Sequence, residues 1–159
     1  MKRVLVGWSL AMLLAAPLAA RQDPCSYAEC ALRVRAAGFT TPAAIVRGQY
    51  DSVVVTLPGF NARLAEHFTA PDSAYFHALR FDTYNRRAFV LNIAGPAVFV
   101  LGSFFTDWRE RPVTSALILG SAVGITLYGT QMANAASDEL SRTIWWYNRE
   151  LVETGRPPD

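Results

Sequence analysis

The chain has few of the residues from which catalytic and metal sites are built. It contains only two histidines and two cysteines. The histidines are His67 and His77, and Pro71 between them disfavours one continuous helix that would present both imidazoles to a metal ion. The Gly-x-Ser-x-Gly, phosphate-loop and HExxH motifs are missing. We therefore expect no catalytic residues, no metal site and no cofactor, and a protein that is not an enzyme.

A basic surface is also missing. The formal net charge is +2 and the charges are scattered along the chain. Nucleic-acid binding needs a stripe or patch of basic side chains to neutralise phosphates. The charge distribution therefore excludes nucleic acid as an expected partner.

Charged residues are missing from two long stretches, residues 88–105 and residues 113–136. A bilayer core about 30 Å thick requires about 20 residues of helix, so both stretches predict transmembrane spans. The short connection at residues 106–112 makes them antiparallel neighbours. Gly95 and Pro96 would break a soluble helix, but a kink inside a membrane is tolerated. The alternative for the first stretch is a buried core helix of a soluble protein.

The first long helix is expected to begin before its span. Pro71 and Asp72 suit a helix start, and no glycine or proline follows until Gly95. We therefore assign residues 71–112 to the first long helix, its span at residues 88–105 and the short loop.

The N-terminus has the pattern of a secretory signal peptide. A basic start precedes an apolar run at residues 4–16, and small residues end at Ala20. We predict a signal peptide at residues 1–20. An uncleaved anchor remains the alternative, because Leu18 is not the small residue preferred near a cleavage site. Export of residues 21–70 follows from this interpretation.

The two cysteines, Cys25 and Cys30, would lie in an oxidising compartment after export, which favours a disulfide. The pair requires a turn at residues 26–29. The competing prediction is a regular helix over residues 24–37, on which the two sulfur atoms would point apart.

Residues 21–70 predict a small exported cap of mixed α/β structure. Residues 44–47 and 53–57 read as strands of one hairpin, and residues 31–35 as a strand or a helix. Residues 60–68 have helical spacing. Such a cap is too small to bury a large core alone, so it must rely on a disulfide, on the membrane helices or on a partner.

The second span carries small residues at four-residue spacing, namely Ala116, Gly120 and Gly124. Small residues allow helix backbones to approach closely. We predict that this row packs against the first helix of the same hairpin. A dimer interface is the alternative.

Residues 137–159 predict an amphipathic tail helix that ends near Gly155. Trp145, Trp146 and Tyr147 follow the second span and suggest interfacial aromatic residues at the headgroups. The alternatives are a helix lying on the membrane surface, or a stripe packed on the helix around residues 75–84.

The fold class is thus a mainly α membrane protein: a two-helix transmembrane hairpin with an exported cap and an amphipathic C-terminal helix. The signal peptide places cap and tail on the exported side, where Asp138 and Glu139 would meet Arg86 and Arg87. The positive-inside rule argues for the opposite orientation, because Arg80, Arg86 and Arg87 flank the exported end.

The expected function is that of a small non-enzymatic integral membrane protein of the cell envelope. An interaction or structural role fits best, with the lipid bilayer and another envelope or membrane protein as partners. The alternative is an accessory subunit of a larger membrane complex.

Overall fold

The computed structural model describes residues 25–37, 42–57, 63–70 and 72–155. The predicted signal peptide at residues 1–20 lies outside these ranges. In chain order the elements are α1 (Tyr27–Cys30), β1 (Leu32–Arg35), β2 (Ala43–Arg47), β3 (Ser52–Leu57), a 3₁₀ turn (Leu64–His67), α2 (Ser73–Phe105) and α3 (Pro112–Thr154). The described chain is mainly helical, with two long apolar helices and a small sheet.

The three strands form one antiparallel sheet in the order β1-β2-β3. The predicted hairpin of the second and third runs is confirmed, and the first run is a strand rather than a helix. Gly48 lies in the turn after β2 with φ 66°, where a side chain would overlap the backbone carbonyl of Glu29. Only glycine fits this approach.

The boundaries of the two long helices agree with their sequence signals. Asp72 caps α2 and accepts a hydrogen bond from the Ala74 N–H at 3.3 Å. Gly155, with φ 66°, ends α3, and its N–H donates to the Leu151 carbonyl at 2.9 Å. Helix α2 continues through Pro96. The helix expected over residues 60–68 is reduced to the 3₁₀ turn within the described residues.

Helices α2 and α3 pack as antiparallel neighbours through small residues. Gly102 lies against Ile118, while Gly95, farther back along α2, lies against Ala122 and Thr126. Spacing of seven residues keeps one face of each helix toward the other in a left-handed supercoil. The buried residues at this spacing are Ala74, Phe81, Ala88 and Gly95 on α2, and Ser115, Ala122, Gly129, Ala136 and Thr143 on α3.

The cap does not have a core of its own. Its buried side chains join those of the open end of the helical hairpin in one cluster, as its small size predicts. The members from the cap are Leu32, Ile45, Val55, Leu57, Leu64, Ala65 and Phe68, and those from the long helices are Ala74, Ala78, Phe81, Ala136, Leu140 and Tyr147. The cap is therefore fixed to the ends of both long helices.

Candidate functional site

The cap and α3 are joined by a pair of hydrogen bonds between Asn148 and Leu32. The Leu32 N–H donates to Asn148 Oδ1 at 2.8 Å, and Asn148 Nδ2 donates to the Leu32 carbonyl at 2.9 Å. Because β1 is an edge strand, these backbone groups point away from β2. The Asn148 amide thus takes the place of a neighbouring strand at this position.

Tyr147 is buried where the cap meets α3, not placed at a membrane surface as predicted. Its side chain is 1% exposed, and its ring meets Phe68 edge-on with centroids 5.8 Å apart. Burial raises the pKa of Tyr147, and the positive charge of Arg47 opposes this effect. The interfacial prediction is wrong for Tyr147 because the cap folds over the stripe that also contains Leu140 and Leu151. The alternative of a packed stripe is the one observed.

Trp145 lies on the outer side of the same helix and is 54% exposed. Its ring meets that of Trp146 edge-on at 4.9 Å, and the Arg149 guanidinium lies 5.3 Å from the centroid of each ring. A groove of about 520 Å³, here called the aromatic groove, runs along this surface. It is lined by Tyr27, Ser141, Ile144, Trp145, Asn148, Arg149, Val152 and Glu153.

Glu139 is a buried carboxylate that joins the two long helices. Its Oε2 lies 2.5 Å from His77 Nδ1, and its Oε1 lies 3.9 Å from Arg80 and 3.8 Å from Arg142. The expected pairing of Glu139 with Arg86 and Arg87 is wrong, because in the packed hairpin Glu139 lies opposite the turn of α2 that carries His77. The carboxylate has three partners that offset the cost of its burial.

Asp82 holds the 3₁₀ turn against α2. Its two carboxylate oxygens accept hydrogen bonds from the N–H groups of Leu64 at 2.9 Å and Ala65 at 3.0 Å. Burial raises the pKa of Asp82, whereas these hydrogen bonds and the charge of Arg86 act in the opposite direction. Asp82 is also one of the residues that line a groove between the turn and α2.

This groove, here called the basic groove, has a volume of about 660 Å³. Its lining contains three arginines and two acidic residues together with aromatic and aliphatic side chains. They are Arg63, Ala65, Glu66, Phe68, Tyr75, Leu79, Asp82, Thr83, Arg86 and Arg87. No sequence motif indicated the groove, because its two walls come from segments that only the fold brings together.

Cys25 and Cys30 lie at disulfide distance, with Cα atoms 6.0 Å apart. The required turn is present: the N–H groups of Glu29 and Cys30 both donate to the Ser26 carbonyl, at 2.9 Å and 3.0 Å. The competing helix over residues 24–37 is wrong, because α1 stops at Cys30 and the chain enters β1.

The row of Ala116, Gly120 and Gly124 does not pack against α2. A Cβ atom built on Gly120 or Gly124 would have no atom of the described residues within 4 Å, and Ala116 is exposed. Residues two positions from Ala122 lie about 200° around the helix, on the side away from α2. The glycines that contact the partner helix are Gly95, Gly102 and Gly129, so the packing prediction is corrected.

Within the described ranges, no group of three potential metal-binding side chains occurs. His67 lies in the 3₁₀ turn, whereas His77 lies in α2 beside Glu139. Comparison of the chain with protein-family models, curated proteins and solved structures finds no match. A functional proposal for this protein therefore rests on its own geometry.

Proposed function

We propose that the chain is a non-enzymatic integral membrane protein of the cell envelope, with an interaction or structural role. The observation that carries the proposal is that the most apolar stretches of the two long helices are largely uncovered by the rest of the protein. Only 11% of that stretch in α2 and 17% of it in α3 is buried within the protein. A core helix of a soluble protein would be mostly covered, so lipid is the natural surrounding of these stretches.

The exposed apolar side chains are concentrated in the half of the hairpin nearer the loop at residues 106–112, here called the closed half. Ile93 is 56% exposed and Leu101 58% on α2, while Leu117 is 66% exposed and Leu127 61% on α3. The buried charged residue Glu139 lies instead at the open end, under the cap. This distribution supports a hairpin whose closed half is in lipid and whose open end is in water.

Both helices are longer than a bilayer requires. Helix α2 has 33 residues and α3 has 43, which correspond to about 50 Å and 65 Å. A hydrocarbon core of about 30 Å leaves the remaining length to project and carry the cap. Because the helices are antiparallel, the cap and the tail of α3 lie on one side, and the predicted signal peptide makes this the exported side.

The aromatic groove is the surface we assign to another envelope protein. Tyr27 and Trp145 are each 54% exposed, and Val152 is 69% exposed. Arg149 lies over the Trp145 ring. Aromatic and arginine side chains are the usual anchors of protein interfaces, and this group projects beyond the proposed lipid-facing surface.

The proposal is tested by membrane extraction and co-purification. Alkaline carbonate should leave the protein in the membrane, and purification in mild detergent should recover a stoichiometric envelope partner. Trp145→Ala should reduce this recovery, whereas the matched control Tyr50→Ala, an aromatic that is 82% exposed in the turn between β2 and β3 and does not line the aromatic groove, should not. Release by carbonate would contradict membrane insertion. Catalytic activity of the purified chain would contradict a non-enzymatic role.

A second candidate is an accessory subunit of a larger membrane complex. The specific observation that favours it is the outward orientation of Gly120 and Gly124, which leaves these small residues of α3 uncovered by α2. Gly124→Leu should then reduce the size of the detergent-solubilised assembly without unfolding the hairpin. An unchanged assembly would contradict this candidate.

A further inference from the structure

The basic groove lies where the apolar stretch of α2 begins. Arg86 and Arg87 line it and immediately precede residue 88, the first of the charge-free stretch. The opposite wall includes Arg63 and Phe68, and Tyr75 lies on α2 about three turns before Arg86. The Arg86 and Arg87 end of the groove therefore lies at the level of the headgroups in the proposed membrane orientation.

The acidic side chains in the groove already have partners. Both oxygens of Asp82 accept backbone N–H groups, and Glu66 Oε1 accepts a hydrogen bond from Arg63 Nη1 at 2.9 Å. Arg87 is exposed and has no ion pair with any of the described residues. With three arginines against two acids, the lining of the groove carries a net positive charge.

In the proposed membrane orientation, Arg86 and Arg87 lie at the depth of the lipid phosphates. The polar headgroup layers add about 5–7 Å to each side of the hydrocarbon core. Arg86 and Arg87 lie within one helical turn of Ala88, and thus within about 3 Å along the helix axis of the proposed lipid boundary. Guanidinium groups at this level are within reach of phosphate oxygens, which they bind through charge-assisted hydrogen bonds.

The same face of α2 continues into exposed apolar residues. Leu79, Thr83 and Arg86 line the groove at spacings of three and four. Continuing that spacing reaches Val90, which is 50% exposed, and Ile93, which is 56% exposed. The surface therefore has a cationic part followed by an apolar part, in the order in which a phospholipid presents its phosphate and its acyl chains.

We propose that the basic groove binds the phosphate of an anionic phospholipid headgroup through Arg86 and Arg87, with the acyl chains along Val90 and Ile93. This inference rests on the proposed function, because the groove meets lipid only if the hairpin spans the membrane. Free phosphate shares the headgroup chemistry but lacks the part that would contact the apolar residues.

The test uses the full-length protein in mild detergent, titrated with short-chain phosphatidylglycerol, with phosphatidylethanolamine and with inorganic phosphate, and bound lipid is counted by native mass spectrometry. Arg87→Gln should weaken phosphatidylglycerol binding about fivefold, and the double substitution of Arg86 and Arg87 by Gln about 25-fold. The matched control is Arg109→Gln in the loop at the other end of the hairpin, which should change binding less than about twofold.

The outcomes separate the groove from the membrane proposal. The lipid site would be overturned if Arg87→Gln and the double variant bound phosphatidylglycerol as tightly as the wild type does. If all three proteins also resisted carbonate extraction, the membrane proposal would stand. Tighter binding of inorganic phosphate than of phosphatidylglycerol would overturn the lipid assignment, as would a preference for phosphatidylethanolamine. Extraction of the wild type by carbonate would overturn both proposals.

Discussion

Close contact between α2 and α3 at Gly95 gives the strongest quantitative prediction. A Cβ atom at Gly95 would overlap the Thr126 side chain, and it would also lie 3.0 Å from the Ala122 carbonyl oxygen and 3.2 Å from the Thr126 backbone N. Rotation of Thr126 relieves only the first contact. Gly95→Ala must therefore move the two helix backbones apart. Gly124→Ala is the matched control, because its Cβ meets no described atom within 4 Å.

The two substitutions share one contribution and differ in another. Alanine in place of glycine favours a helix by about 0.5–1 kcal/mol, and this gain is common to both variants. Overpacking costs about 1–3 kcal/mol and applies only at Gly95. The free energy of unfolding of Gly95→Ala should thus lie about 1–3 kcal/mol below that of Gly124→Ala. In a chain of this size the difference corresponds to about 2–12 °C in Tm.

Thermal unfolding in mild detergent, followed by circular dichroism, measures this difference. Gly124→Ala should unfold at or above the wild-type temperature, and Gly95→Ala clearly below Gly124→Ala. Gly124→Leu should also preserve the Tm of the hairpin, contrary to the sequence-based expectation for this position. If Gly95→Ala and Gly124→Ala unfolded within about 1 °C of each other, the two helices would not touch at Gly95 and the assigned contact face would be wrong.

Tyr147→Phe should keep or raise the Tm, because the buried Tyr147 hydroxyl has no hydrogen-bond partner among the described residues. Tyr147→Ala should instead lower the free energy of unfolding by about 3–5 kcal/mol. Equal losses of stability in the two variants would contradict this prediction. Burial raises the pKa of Tyr147 above its ordinary value of 10.0. The contribution of its neutral hydroxyl to stability should therefore be complete below about pH 10 and be lost as the pH rises through the folded pKa. Tyr147→Phe should abolish this loss in unfolding curves measured at alkaline pH. Under non-reducing conditions an alkylating reagent should label neither Cys25 nor Cys30, and labelling of both would show free thiols. Cysteine at the exposed Ser141 should react with a membrane-impermeant thiol reagent applied from the exported side, and protection until lysis would place the tail in the cytoplasm.

The elements that sequence patterns predicted correctly are those with local signals. Asp72 and Gly155 mark helix ends because capping depends on a few adjacent residues. The pairing of β2 with β3 follows from two β-branched runs separated by a short turn. The turn that brings Cys25 near Cys30 is local as well. Each depends on interactions within a few residues, so no knowledge of the tertiary fold was needed.

The candidate sites were harder to predict because they depend on contacts distant in sequence. The hydrogen bonds between Asn148 and Leu32 join residues 116 positions apart. Those from Leu64 and Ala65 to Asp82 join the 3₁₀ turn to α2 across 18 and 17 positions. No spacing rule connects such positions. In the sequence, an aromatic cluster after a membrane span fits an interfacial belt as well as it fits a packed stripe. Only the position of the cap over Tyr147 distinguishes the two.

The helix contact face did have a sequence signal, but at a period of seven rather than four. The four-residue row of Ala116, Gly120 and Gly124 lies on one side of α3, and the seven-residue series through Ala122 and Gly129 lies on the other. Two long antiparallel helices can stay in contact only along a face that follows their supercoil, and a repeat of seven residues does so where a repeat of four drifts around the helix. The four-residue row extends over only about two turns of α3 on the side away from α2, and a short dimer contact needs only two or three turns. The four-residue row thus suits a local contact with a separate helix, and the seven-residue series suits the hairpin itself.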